Sequence, residues 1–590
     1  MFSLLKLLII YFISTLCFAQ ESAYSQKKWA RLLHFEDGEF KAHHRNVFYL
    51  SAKSLEDEWI SSVNAIKNKT LVGREKKVFA CSFPARYEFI RQYLPSLSKE
   101  SCPDFQEWKT EIGAKEIVLV YASSYLSNPA SMFGHSLLRL SRGGRSRASV
   151  LSDYTVGFLA QTNPDDNPLS YTVKGVTGGY IGYYEIKPFY QNVGLYQNSE
   201  ARDLWQYPLK LSQEQVDFFV SHLYELSLNT GFDYYFFDEN CSSVILRTLQ
   251  VVDEDFNFLD QSYVFAHPIE TLKWARDALD HERVTYYPSI NKIVRNQLDQ
   301  MNSTERDLFQ RANRDIEVIH EIKSPIVLDA LIDYWKFKNY KEETKISQIN
   351  KKRMNLILKK RASIDTITDN LVMNRTETDD PLKFHDPNKW ELGYLYTKNS
   401  EVMTARFALG YQDLDDIHIG HDNFSFINYF DFNFQFRENV LSLKDLTLVK
   451  IHSLSPYYNE IKSFSWEIDL SVKRSSYLFS DKHLSFLGGV GYTLFLEKLS
   501  LSGFLGFENF LSKSLLELKP YLSFYARAPL KRNLILIQSK LHYDSSKISR
   551  NLSMTYAHYI KKNVSARFMI EDFKSNFSQT RARFSLRFRF

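Results

Sequence analysis

The chain is poor in cysteine, with four among 590 residues, and it carries almost no net charge, 74 Lys+Arg standing against 69 Asp+Glu. The balance excludes the clustered basic surface that a nucleic-acid partner requires. Long apolar runs are lacking too. The run Leu7 to Ile13 beside Lys6 is too short and too early for a spanning helix, and with Cys17-Phe18-Ala19 before Gln20 it reads as a cleaved export signal over residues 1–19. Leu16 is bulkier than lipoprotein processing accepts, so Cys17 is read as part of the signal and not as a lipid anchor. Metal-ligand spacing is missing as well. His43-His44 has no third ligand nearby and reads as surface, so no metal and no cofactor is expected.

Export places the mature chain in an oxidising compartment, where cysteines pair. Cys81 and Cys102 flank a short aromatic segment, and closing that ~20-residue loop contributes about 3 kcal/mol. Cys241 is then left over. It follows Asp238-Glu239-Asn240 and opens an apolar segment, Val244, Ile245, Leu246, Leu249, that reads as a buried helix. A thiol in the first turn of a helix lies at the positive end of the dipole, which favours thiolate and hence nucleophilic chemistry.

The order of elements gives that cysteine a partner. Residues 20–110 read as a small helical region. Ile117 to Tyr121, His135 to Leu140 and Ser149 to Phe158 read as strands, with His135 delivered to one end of the sheet just after Gly134. Residues 163–200, rich in Gly, Pro and Tyr, read as a long loop or lid. Ser212 to Gln215 is a capping-box pattern that starts a helix leading towards Cys241. This is an α+β layer arrangement, taken here as a domain over 111–275. Charged helices over 276–385 read as an extension and linker.

The aromatic excess, 45 Phe and 36 Tyr, gathers in the last third. Phe464, Trp466, Ile468, Leu470 and Val472 alternate with polar residues, as do Phe424 to Phe436 and the final Ala582, Phe584, Leu586, Phe588 and Phe590 against arginines. A period of two over segments of about ten residues is the pattern of a transmembrane antiparallel β-barrel, with about twelve strands expected over 386–590. An even strand number leaves both barrel ends on one side, which puts everything before residue 386 in the periplasm.

Four motifs in order, NPASMFGHSLLRL, GGYIGYYEIKPFY, ARDLWQYPLKLS and FDYYFFDENCSSVILRTL, resemble the Lnb N-terminal periplasmic domain family. That family is similar to the permuted NlpC and lecithin:retinol acyltransferase group of papain-like folds. The resemblance implies a dyad of His135 as base and Cys241 as nucleophile, and an activity of lipoprotein N-acylation with phospholipid as acyl donor. It covers residues 110–270. Gly157 stands where the pattern has a polar residue, and Asp153 and Asn240 are the alternatives for a third polar or oxyanion group. Outer-membrane lipid and a lipoprotein or phospholipid substrate are the expected partners. Two other functions compete with this one: a cell-wall peptidase or amidase of NlpC type, and a non-enzymatic barrel, porin or adhesin, carrying a degenerate binding domain.

Overall fold

The computed structural model describes residues 26–590 except 124–133, 145, 164, 260–264, 342–347, 366–379, 399, 422–423, 438–439, 474–482, 497, 512–515, 545–546 and 576–577. The export signal, the loop before Gly134 and the linker residues 342–347 and 366–379 therefore lie outside the described residues. The described residues up to Ser289 form one compact unit, and those from Ile290 onward a second.

The first unit is built on a seven-stranded sheet. Its order is Phe232–Tyr234, Tyr180–Pro188, Tyr154–Ala160, His135–Ser141, Glu116–Ala122, Leu204–Pro208 and Thr285–Tyr287, every neighbouring pair antiparallel. The strand His135–Ser141 is buried along its whole length, because helices cover both faces. One face carries the helix Cys241–Leu249, tied to the sheet where the Tyr184 hydroxyl meets Thr248 Oγ1 at 2.6 Å. The other is covered by Phe189 and Val193, which share a core with Val118, Val120, Leu137 and Leu204. Ser212 and Gln215 do form a capping box, opening the helix Gln213–Asn229. The helical N-terminal region joins the same unit. Arg86, wholly buried, donates to Phe48 O at 2.8 Å and lies between Glu58 and Glu225, and the disulfide Cys81–Cys102 closes the segment with its Cα atoms 5.2 Å apart.

Two expectations are corrected here. The third strand begins at Tyr154, since Ser146 accepts the Ser149 N–H and holds Arg147–Leu151 as a short helix instead. Residues 163–200 are no loop. Asn167 caps a helix, Pro168–Thr177, and Tyr180, Gly182 and Tyr184 then alternate inward as an internal strand of the sheet. Tyr180 and Tyr184 face inward four residues apart, and the glycine at the inward position between them disguised the strand.

The second unit contains four helices, Ile290–Gln300, Ser303–Arg314, Pro325–Lys341 and Gln348–Ala362, with a shared core that Tyr458 and Ile461 of a barrel turn complete. The barrel is closed and has twelve strands, its first, Lys389–Thr397, pairing with its last, Ser578–Arg589. Leu392, Val490, Leu505, Phe507 and Phe584 are exposed on the outside, whereas Glu391, Glu467, Glu508 and Arg587 are buried inside. An apolar outer belt on a closed barrel is the form that satisfies every backbone group in lipid, and it places the chain in the outer membrane. Among the described residues, no helix is long and apolar enough to cross a membrane.

One alternation breaks its phase. Phe430 takes a left-handed φ of 45°, so Phe426 points inward and is buried while Phe436 is exposed on the outer face. The six phenylalanines of that segment do not share one face. Between the second and third strands, Asp413 to Ile417 turn into the lumen. Asp416 accepts from Arg567 at 2.7 Å, Arg587 at 2.9 Å and the Tyr559 hydroxyl at 2.9 Å, and it also pairs with Arg589. Leu414 and Ile417 pack with Phe426, Phe504 and Tyr525. The segment is a plug at the end where the barrel's chain enters.

Candidate functional site

Cys241 is the first residue of the helix Cys241–Leu249, and among the described residues it is the free cysteine. Its position follows from the cap. Asn240 has extended backbone, its side-chain oxygen accepts the Ser242 and Ser243 N–H groups at 2.9 and 3.3 Å, and Ser243 Oγ accepts the Asn240 N–H at 3.0 Å. The Asn240 amide donates to Ala266 O at 2.8 Å. Both ends of that side chain are thus used in holding the helix start, and Asn240 acts as its cap.

His135 is the first residue of its strand. Gly134 before it has φ +94°, and a Cβ there would stand 3.0 Å from the Tyr121 ring, so only glycine delivers the chain into the strand at this angle. The His135 ring packs on Tyr196 at 5.5 Å. The next residue, Ser136, turns its N–H to the Cys241 sulfur, the Tyr234 hydroxyl faces the same sulfur, and Ser242 Oγ lies 3.7 Å from it. Arg202 bears electrostatically on both Cys241 and His135, and Tyr196 feels Cys241. Tyr196 and Arg202 therefore stand near both His135 and Cys241, with Tyr234 at the sulfur, and among the described residues no hydrogen bond joins His135 to Cys241.

Burial sets the protonation states. It pushes the Cys241 thiol up, outweighing the Ser242, Ser136, Arg202 and Tyr234 contributions that favour thiolate. It pushes His135 down to about 3, and Arg202 and Lys187 add to the shift. The resting pair is neutral thiol and neutral imidazole. Burial thus opposes the thiolate that a helix start favours.

Asp153 is committed elsewhere. It pairs with Arg139, accepts the Arg142 N–H at 3.1 Å, and Arg139 in turn donates to Gln206 at 2.8 Å. Arg139 is four residues along the strand from His135, about 13 Å away. Asp153 thus braces the far end of the sheet and does not orient His135. A Cβ at Gly157 would meet nothing within 4 Å, so the position expected to hold a polar group opens onto free space. His43 bonds Asp233, and His44 meets the Tyr183 hydroxyl at 3.2 Å. The acidic triplet Asp413, Asp415 and Asp416 has metal-like spacing, but these carboxylates are paired with Lys389, Arg567 and Arg587 in the barrel plug.

Sequence reasoning attached no role to Tyr196, Arg202 and Tyr234. All three lie in or beside the aromatic motifs around positions 190, 202 and 234, yet their convergence is a tertiary event that spacing does not reveal.

Comparison with known proteins follows the same division. Residues 104–277 match the family described as the Lnb N-terminal periplasmic domain. Residues 21–93 and 378–588 match two families described as domains of unknown function. No curated protein matches the chain. Among solved structures, the KdgM porin is similar at 11% identity with a TM-score of 0.24, over 34% of this chain and 99% of that one. The NanC porin is similar at 8% identity and 0.24, over 34% and 100%, and the anion-selective porin from Comamonas acidovorans at 14% and 0.17, over 32% and 59%.

Proposed function

We propose that this chain, an Lnb-type periplasmic domain fused to an outer-membrane barrel, is a cysteine-dependent acyltransferase. It takes an acyl group from a membrane phospholipid and passes it to the N-terminal amine of a lipoprotein, on a papain-like scaffold in which the nucleophile opens a helix and the base opens a strand. The observation that carries the reading is Cys241, left unpaired in an oxidising compartment at a helix N-terminus, beside the strand that begins with His135.

The chemistry starts from the neutral pair. As Cys241 Sγ attacks the ester carbonyl, the sulfur–carbon bond forms and the thiol proton passes to His135. With the Ser242 and Ser243 N–H groups held by the Asn240 cap, the Cys241 N–H and the Tyr234 hydroxyl are the donors suited to the oxyanion, at about 3 kcal/mol each in known cases. The carbon–oxygen bond then breaks, His135 returns its proton to the departing lysophospholipid oxygen, and a thioester remains. The α-amine of the acceptor attacks the thioester carbonyl next and His135 takes its proton; the carbon–nitrogen bond forms, the carbon–sulfur bond breaks, and the proton returns to the departing Cys241 sulfur to restore the thiol.

A porin-like role is disfavoured by the plug, which sets paired charges and apolar side chains inside the lumen. The test is transfer itself. Full-length protein in proteoliposomes should convert a diacylated lipopeptide to the triacylated form, and Cys241→Ala and His135→Ala should each abolish conversion. Release of muropeptides from purified murein without lipid deacylation would contradict the proposal in favour of a wall peptidase.

A further inference from the structure

The helix Pro168–Thr177 turns apolar residues the wrong way for a water-facing element. Val173 is 51% exposed and Val176 39%. The opposite side packs inward. Tyr171 lies 5.2 Å from the Phe236 ring, and a Cβ on Gly175 would stand 2.2 Å from that ring, so the helix is seated as closely as glycine allows. Its one charged residue, Lys174, is paired with Asp166 at 2.7 Å. The helix thus presents no unpaired charge to an apolar phase.

The same helix is wired to the site. The Phe236 N–H donates to Gly175 O at 2.8 Å, and Phe236 is five residues before Cys241. From the helix inward the rings run Tyr171, Phe236 and Tyr234, the last two 6.1 Å apart, with Tyr234 stacked on Phe158 at 5.8 Å and its hydroxyl facing Cys241. An aromatic track therefore leads from the Val173 and Val176 face to the nucleophile.

We infer that this helix is the lipid-contacting element of the site: its Val173 and Val176 face seats among the acyl chains of membrane phospholipid, and the Tyr171, Phe236 and Tyr234 rings guide one acyl ester to Cys241. The inference rests on the phospholipid-donor reading above and names the surface through which that donor enters. A protein partner or a second copy on this face is the competing occupant.

The first test involves no chemistry, so it separates this inference from the enzymatic reading. In full-length Cys241→Ser protein, Val173→Cys carrying an environment-sensitive fluorophore is reconstituted in proteoliposomes of phospholipid with brominated acyl chains, and Glu214→Cys, an exposed position, is labelled as control. Emission at 173 should fall at least about twofold relative to unbrominated lipid while emission at 214 stays unchanged, as acyl-chain contact requires. Equal quenching at both positions, no quenching at either, or cross-linking of 173 to a second copy would overturn the inference. In the otherwise native protein, Val173→Asp with Val176→Asp should slow thioester formation from vesicle phospholipid about tenfold or more, the scale of losing two buried valines, and leave thioester formation from a water-soluble short-chain ester unchanged. Equal loss with both donors, or loss with neither, would contradict it. If the fluorophore is quenched by lipid but no wild-type thioester forms, the lipid contact stands and the acyltransfer reading falls.

Discussion

At the residue scale the site depends on a pair of groups that burial keeps uncharged. With the Cys241 thiol raised and His135 lowered to about 3, thiolate forms only as pH climbs towards the thiol's own range. Alkylation of Cys241 by iodoacetamide should therefore be slower at neutral pH than that of a free thiol, and should rise about tenfold per pH unit with no inflection near pH 6 to 7. A plateau between pH 5 and 8 would reveal a preformed thiolate–imidazolium pair and contradict the neutral resting state. Asn240 gives a second test at this scale. Since its side chain caps the helix, Asn240→Ala should lower the stability of the periplasmic unit by about 1 kcal/mol, read by chemical denaturation, with a modest loss of transfer. Unchanged stability with a loss of a hundredfold or more would show Asn240 to be an oxyanion donor instead. The places of Cys241 at a helix start and of His135 at a strand start were legible in the sequence, while their joint role came from the family resemblance and not from local pattern. Tyr196, Arg202 and Tyr234 were not legible. Nothing local distinguishes a tyrosine that will face a sulfur from one that will fill a core.

At the element scale the barrel was the plainest reading, because one side of every strand must be apolar over a length fixed by the bilayer, and that constraint writes period two into the sequence. The exception at Phe430 is instructive. A single residue at φ 45° moves Phe426 from the lipid side to the lumen, and no composition signal announces a left-handed phenylalanine. The strand Tyr180–Pro188 was obscured for a different reason: Gly182 pairs with Ala160 beside Phe158, whose ring lies 2.2 Å from where a Cβ would stand, so a residue normally read as a turn former is there to make room. Gly182→Ala should accordingly destabilise the sheet by about 1 to 3 kcal/mol through overpacking, lowering the unfolding midpoint of the periplasmic unit without moving the barrel's. An unchanged midpoint would show that Phe158 yields freely.

At the scale of the whole molecule, we propose the barrel, with the segment Asp413 to Ile417 turned into its lumen, as an anchor and not a passage. The plug is held by Asp415 and Asp416 on Arg567 and Arg587, with Asp416 also on Arg589. Planar-bilayer recordings of the wild-type protein should show no conductance steps, and Asp415→Ala with Asp416→Ala should introduce them; open channels in the wild type would refute the anchoring role. With the barrel in the outer membrane and the preceding residues in the periplasm, the donor and acceptor proposed here are both within the same compartment face. The central claim is that Cys241 carries the acyl group, and it is tested most directly by the mass of the protein itself. Full-length protein incubated with phospholipid and no amine acceptor, quenched in acid and digested, should show the peptide containing Cys241 heavier by one acyl chain, the adduct being released by hydroxylamine and absent from Cys241→Ala. An unmodified Cys241 peptide under conditions where lipopeptide is still N-acylated would contradict the account.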